Sequence, residues 1–242
     1  MLWKEFNNGN SSSVAPIADW SSMTRTDHFV QFYESDGFIV NSVAEYFFHG
    51  LECNGSCICV GTAEHNERIL NGLRTFGIDP DKAVDSGRLV VRDAGEMLSK
   101  FMRDGSPNID KFNASIGKLV KETLQPTAPL RVFGEMVAIL WEEGNQNAAV
   151  RLEELWNDLR DEYDFSLFCA YPLKGFARTG LNGEMQEICH QHTKTIPAES
   201  YSSLTTPEER LRAIAYLQQR GEQLAAEISE LEARISNRAA KT

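Results

Sequence analysis

The residues best placed for chemistry in this chain stand just after short apolar runs. Gly61-Thr62-Ala63-Glu64-His65 follows Ser56-Cys-Ile-Cys-Val60, Asp93 closes Arg88-Leu-Val-Val-Arg92, and Glu135 follows Leu130-Arg-Val-Phe-Gly134. If those runs are parallel strands, these are the positions where an open sheet binds its ligand. A Walker loop would need converging glycine amides, a Lys for the terminal phosphates and a Ser or Thr for magnesium. The turn at Gly61 has one Gly, no Lys, and Glu64, whose charge repels phosphate. No G-x-G-x-x-G follows any strand-like run, so a dinucleotide site is equally unsupported. What remains is a polar rim. Thr62 and His65 either cap and solvate a helix start or face a ligand, with His65 free to titrate near neutral pH. Glu135 and Asp93 are either helix-start carboxylates or polar groups of the same pocket.

Sulfur and imidazole form a second set. Cys189 and His192 are spaced i, i+3, so one helix could turn both toward a metal ion; helix-surface polarity beside a buried cysteine accounts for them equally. Cys57 and Cys59 share a strand face, yet nothing in the sequence joins the two pairs into a four-ligand site. No metal and no cofactor is therefore assigned. His28 precedes a strand and suits a structural hydrogen bond. With no G-x-S-x-G elbow and no distinguishable Cys/His nucleophile pair, no catalytic residue is assigned.

The elements that must position these groups are legible from periodicity. Strand-like runs begin at His28, Ser56, Arg88, Leu130 and Phe165, the last stopped by Pro172. Helical spacing occupies 37–49, 63–76, 95–103, 108–124, 136–143 and 147–163 between them, and a further helix is expected over 182–192. Such alternation predicts a mainly parallel sheet with helices on both faces, a P-loop-like α/β layout without a Walker A loop. Residues 1–26 read as a loosely ordered lead-in, because 7–13 is almost entirely Asn, Ser and Gly. The globular domain is expected over 27–201 and a linker and helix over 202–242. In that helix Ile214, Leu217, Gly221, Leu224, Ile228, Leu231 and Ile235 recur at steps of three and four. This heptad seam suits either packing on its own domain or pairing with a second chain.

Composition narrows the function classes. A formal charge of −11 argues against general nucleic-acid binding, which needs clustered Lys and Arg. No apolar run reaches the roughly 20 residues of a membrane span. Five cysteines, three of them in or beside apolar runs, read as reduced thiols in a cytoplasmic protein.

Taken in order, several segments resemble one family. They are His28-Phe-Val-Gln-Phe-Tyr33-Glu34 with Asp36; Gly61-Thr62 and His65; Arg131-Val-Phe-Gly-Glu135-Met136 with Leu140-Trp141; Arg151-Leu-Glu153 with Leu155-Trp156-Asn157; Cys169-Ala-Tyr-Pro172 with Phe176; and Ile188-Cys189 with His192. The series is similar to the MEDS domain, the methanogen/methylotroph, dichloromethane-regulator sensory domain, over roughly 27–201. The resemblance implies a RecA/KaiC-like core used for sensing small organic ligands such as hydrocarbon derivatives, in regulators joined to histidine kinases or DNA-binding modules. It marks His28, Tyr33, His65, Glu135, Trp156 and Cys169 as motif positions. This sequence shows no kinase core or helix-turn-helix, so its output is expected through the C-terminal helix or through a partner such as a histidine kinase or transcription regulator. The ligand-site candidates are thus His28, Tyr33, Thr62, His65, Asp93, Glu135, Trp156 and Cys169. A nucleotide-binding or weakly ATP-hydrolysing protein using Glu135, and a ligand-independent dimerising scaffold, are the alternatives.

Overall fold

The computed structural model describes residue 20, residues 23–176 and residues 184–239. In chain order, β1 (His28–Tyr33) leads to α1 (Asp36–Glu52), β2 (Ser56–Gly61), α2 (Ala63–Thr75) and α3 (Pro80–Asp85). Next come β3 (Leu89–Asp93), α4 (Ala94–Phe101) and a two-residue antiparallel pair, β4 (Met102–Arg103) with β5 (Ser106–Pro107). Two short helices, α5 (Ile109–Phe112) and α6 (Lys118–Thr123), are joined by a π turn over Asn113–Gly117. Then follow β6 (Leu130–Gly134), α7 (Met136–Glu142), α8 (Gln146–Glu162), β7 (Ser166–Pro172), α9 (Leu173–Phe176), α10 (Glu184–His190), β8 (Lys194–Ile196), α11 (Glu199–Ser202) and α12 (Pro207–Ala239).

Six strands form one parallel sheet in the order β3-β2-β6-β7-β1-β8. Because side chains alternate along a strand, each central strand feeds two cores. Val30, Phe32, Ile58, Val60, Val132, Leu167, Cys169 and Tyr171 face α4 to α8 and α10. Phe29, Tyr33, Cys57, Cys59, Phe133, Phe168 and Ala170 face α1, α2 and α3. That is the α/β architecture, mainly parallel with helices on both faces, which the alternating elements predict.

The structure adds what the pattern misses. β8 has no counterpart among the strand-like runs; three residues are too few to show a period, and its pairing with β1 is made by backbone. In the N-terminal stretch expected to be loosely ordered, Trp20 is instead buried among Phe29, Tyr46 and Phe168. Its carbonyl accepts a hydrogen bond of 2.8 Å from the buried Arg131 guanidinium, which also donates to the Tyr46 carbonyl at 2.6 Å. The other residues of 1–22, and the first two of the helix expected over 182–192, lie outside the described residues.

The described residues up to Glu199 belong to one compact unit and those from Ser200 onward to a second. Within the second, Thr206 and Glu209 form a reciprocal capping box at the start of α12. Thr206 N–H donates to Glu209 Oε2 at 3.0 Å, and Glu209 N–H to Thr206 Oγ1 at 3.2 Å. Along α12, Leu217, Leu224, Ile228, Leu231 and Ile235 are all exposed. No described helix is long and apolar enough to cross a membrane.

One side chain ties α1 to the sheet through a single hydroxyl. Tyr46, fully buried, reaches the carbonyl of Ser166 at 3.0 Å and its hydroxyl at 2.8 Å. Replacing Tyr46 with Phe leaves the packing volume intact and strands these groups, so urea denaturation is expected to show a loss of about 1–2 kcal/mol.

Candidate functional site

The chain leaves β2 toward β3 through α2 and α3 on one face, and leaves β6 toward β7 through α7 and α8 on the other. β2 and β6 are neighbours, with Val60 opposite Gly134. Their connections therefore part at the carboxyl ends, opening the crevice in which doubly wound sheets place ligands.

Glu135 fills that crevice with its own carboxylate. Its backbone N–H extends the strand pairing to Val60 O at 2.9 Å. Its Oε2 accepts from Thr62 N–H at 2.8 Å and its Oε1 from His65 Nδ1–H at 2.6 Å. A carboxylate only accepts, so the His65 proton in this bond sits on Nδ1. Thr62 caps α2 through its side chain, which receives His65 N–H at 3.4 Å. Glu135 thus occupies the place at a helix N-terminus where a phosphate would be held by amides and dipole. Gly61 is required by this seating: a Cβ there would stand 2.7 Å from Asn66 Oδ1 and 3.3 Å from Glu135 Oε2. Asn66 in turn donates to Gly61 O and Arg92 O, both at 2.9 Å, and accepts from Cys59 Sγ at 3.2 Å.

Ser35 is the N-cap of α1, and Glu199 holds the turn before that helix by accepting from Glu34 N–H at 2.7 Å and Ser35 Oγ–H at 2.8 Å.

His65 Nε2 points toward Asp36 Oδ1, 3.8 Å away, while His65 itself is only 8% exposed. The hydrogen bond to Glu135 raises the imidazole pKa above its ordinary value, against the opposing effect of burial. Tyr33, at the end of β1 and also buried, has its phenol pushed far up by burial first and by the charges of Glu135, Glu142 and Asp36 second. It is neutral throughout the accessible pH range.

Of the other sequence candidates, Asp93 accepts from Glu96 N–H at 2.9 Å as the N-cap of α4. Trp156 lies in the core against Phe112 and Phe165, 3.6 Å from where a Gly134 side chain would begin. A hollow of about 250 Å³ opens between α4, the π turn and α6, lined by Arg92, Met97, Lys100, Ser115, Lys118 and Glu122 among others; none of the strand-end imidazoles or carboxylates lines it.

His28 and Cys169 belong to a different assembly, deep in the core beside α8. Glu153 stands fully buried on that helix. It receives Tyr171 Oη–H at 2.8 Å on Oε1 and Cys169 Sγ–H at 3.3 Å on Oε2. His28 Nε2 lies 3.4 Å from Oε2 and His192 Nε2 lies 3.4 Å from Oε1. Burial opposes ionisation of Glu153, but the neighbouring imidazoles of His192 and His28 outweigh it and lower the carboxyl pKa. Burial pushes His28 down, and its neighbour His192 adds to that. Burial and Glu153 together push the Cys169 thiol well up. The sequence paired His192 with Cys189; the structure separates them functionally, leaving Cys189 half-buried on α10 and His192 buried beside His28. The sequence signal for Glu153 is faint: one carboxylate on the apolar face of α8, between Leu152 and Trp156.

The comparisons with known proteins can now be set beside this geometry. Residues 27–193 match the model of the MEDS family, the methanogen/methylotroph, DcmR sensory domain. The chain belongs to the MEDS family. Both the strand-end site and the buried Glu153 assembly lie within the matched span. Among solved structures, the crystal structure of a KaiC-like protein from the hyperthermophilic archaeon Pyrococcus horikoshii OT3 is similar over 71% of this chain and 72% of that one, at 14% identity and a TM-score of 0.49. The comparison with curated proteins gave no match.

A group whose pKa is raised in the folded state adds stability below its unfolded value near 6.5, and that stability is lost as pH rises through the folded value. For this MEDS domain, denaturation midpoints are therefore expected to fall between pH 6 and pH 9. In His65→Gln that part of the slope should disappear; an unchanged slope would mean that the His65–Glu135 pair does not bind a proton preferentially in the native state.

Proposed function

We propose that this MEDS domain is a non-catalytic sensor that binds a small, largely uncharged organic molecule in the crevice between β2 and β6. The observation carrying this reading is the seating of Glu135 on the α2 amide and on His65. An internal carboxylate in the anion position repels a polyphosphate, and phosphoryl transfer relies on cationic positioning. What the crevice offers instead is a polar pair able to exchange one hydrogen bond, beside the neutral phenol of Tyr33. A few convergent polar groups of this kind suit a small organic ligand.

Equilibrium binding and thermal shift, run with a panel of alcohols, ketones and haloalkanes and in parallel with ATP and GTP, test this. A saturable stabilisation by one of the organic classes is expected, reaching about 2.7 kcal/mol at a hundredfold excess over Kd. His65→Ala and Glu135→Ala should each abolish it. A flat response to every organic class, or ATP turnover that exceeds a Glu135→Gln control, would replace the sensor reading with an inert or a hydrolytic one.

The output in this reading runs through α12 to a second copy of the same helix, or onward to a partner protein. Its exposed Leu and Ile residues follow the heptad steps and so match themselves across a two-fold axis. Light scattering of the full chain and of a chain ending at Thr206 measures this. A dimer that becomes a monomer on truncation is the expected result, and an unchanged mass removes α12 as the contact.

A further inference from the structure

We propose that His28, Glu153, Cys169 and His192 form a closed, four-ligand site for a zinc-class divalent transition metal. The four side chains come from β1, α8, β7 and the segment after α10, and their ligand atoms all lie within 4.8 Å of one another. Three of the separations match edges of a coordination tetrahedron, and His192 reaches the carboxylate through its other oxygen. His28 Nε2 is 3.4 Å from Glu153 Oε2 and 3.5 Å from Cys169 Sγ. Cys169 Sγ is 3.3 Å from Glu153 Oε2, and His192 Nε2 is 3.4 Å from Glu153 Oε1. With metal–nitrogen and metal–oxygen bonds near 2.0–2.1 Å and metal–sulfur near 2.3 Å, tetrahedral edges are about 3.3–3.6 Å.

The surroundings aim these atoms inward. His28 Nδ1–H donates to Asn157 Oδ1 at 2.8 Å, and Asn157 is held by Gln191 through bonds of 3.0 Å to its carbonyl and its side chain. His192 Nδ1–H donates to Ile188 O at 2.6 Å. Each imidazole is thereby fixed in the tautomer whose Nε2 lone pair faces the carboxylate, the arrangement by which outer hydrogen bonds orient metal-binding histidines. His192 Nε2, wholly buried, completes no hydrogen bond with any protein group. Tyr171 steadies the carboxylate from outside at 2.8 Å.

Charge and donor type select the ion. Glu153 and a Cys169 thiolate carry two negative charges, which a divalent cation neutralises beside two neutral imidazoles. Binding forms the metal–sulfur bond and releases the thiol proton to solvent, so affinity rises with pH. Nitrogen and sulfur donors favour zinc or cobalt over magnesium or calcium. Since all four ligands come from the protein and all are buried, the centre is structural: it would clamp the last segment of the domain onto β1 and α8. This site is independent of the organic-ligand crevice, with which it shares no residue.

The decisive experiment is titration of the full, chelator-treated chain with Co²⁺, followed by zinc competition and metal analysis of the protein as purified. A thiolate-to-cobalt charge-transfer band with intense tetrahedral d–d bands, saturating at one ion per chain and bleached by zinc, is expected. Cys169→Ser should lose the charge-transfer band, Cys189→Ala should keep it, and Asn157→Ala should weaken binding by about 10–100-fold. If the wild-type chain gives no charge-transfer band, the four residues are a proton-sharing cluster and the proposal falls. A band that persists at full intensity in Cys169→Ser, with the fold confirmed by circular dichroism, overturns it as well.

Discussion

A parallel sheet covered by helices on both faces leaves its central strands no access to water, and this constraint organises the rest of the molecule. Every side chain on β1, β2, β6 and β7 must enter one of two cores. Apolar residues satisfy that demand at once. A polar residue on those strands is costly unless partners meet it, since an unpaired buried polar group costs on the order of 1–3 kcal/mol; Gln31 Oε1 and Ser56 Oγ are left without one. The polar clusters here follow from that rule: Arg131 finds two carbonyls, Ser166 finds Tyr46, and His28 finds Asn157 and Glu153.

The same constraint separates the two sites by character. At the carboxyl ends of the strands the helices diverge, and Glu135 can meet His65 near the surface with Asp36 exposed beyond it. Beneath α8 the walls close completely. There burial opposes ionisation of Glu153 and the two imidazoles beside it act the other way, whereas a buried charge without such neighbours would take up a proton.

Helix N-termini show how a nucleotide-type layout is turned to other use. The amides at the starts of α1 and α2 are as available for anions here as in any open α/β sheet. Glu135 occupies the start of α2 from within, while Glu199 holds the turn that precedes α1 through Glu34 N–H and Ser35 Oγ–H.

Local pattern determined much of this on its own. The strand and helix alternation, the absence of a phosphate loop at Gly61 and the placement of Thr62, His65 and Glu135 at strand ends all rest on short-range periodicity and turn chemistry. So does the seam of α12, which is written in seven-residue spacing. Tertiary structure alone decided which ends adjoin: β2 borders β6, bringing His65 to Glu135 across 70 positions, while Asp93 is taken by the cap of α4. It also moved His28 and Cys169 out of the strand-end group and joined them to Glu153 and His192, residues up to 164 positions from His28. Nothing in the spacing of Cys189 and His192 could reveal that, because a ligand set drawn from four separate elements has no sequence period. Periodicity reports the face on which a residue lies. Only the strand order reports what it meets there.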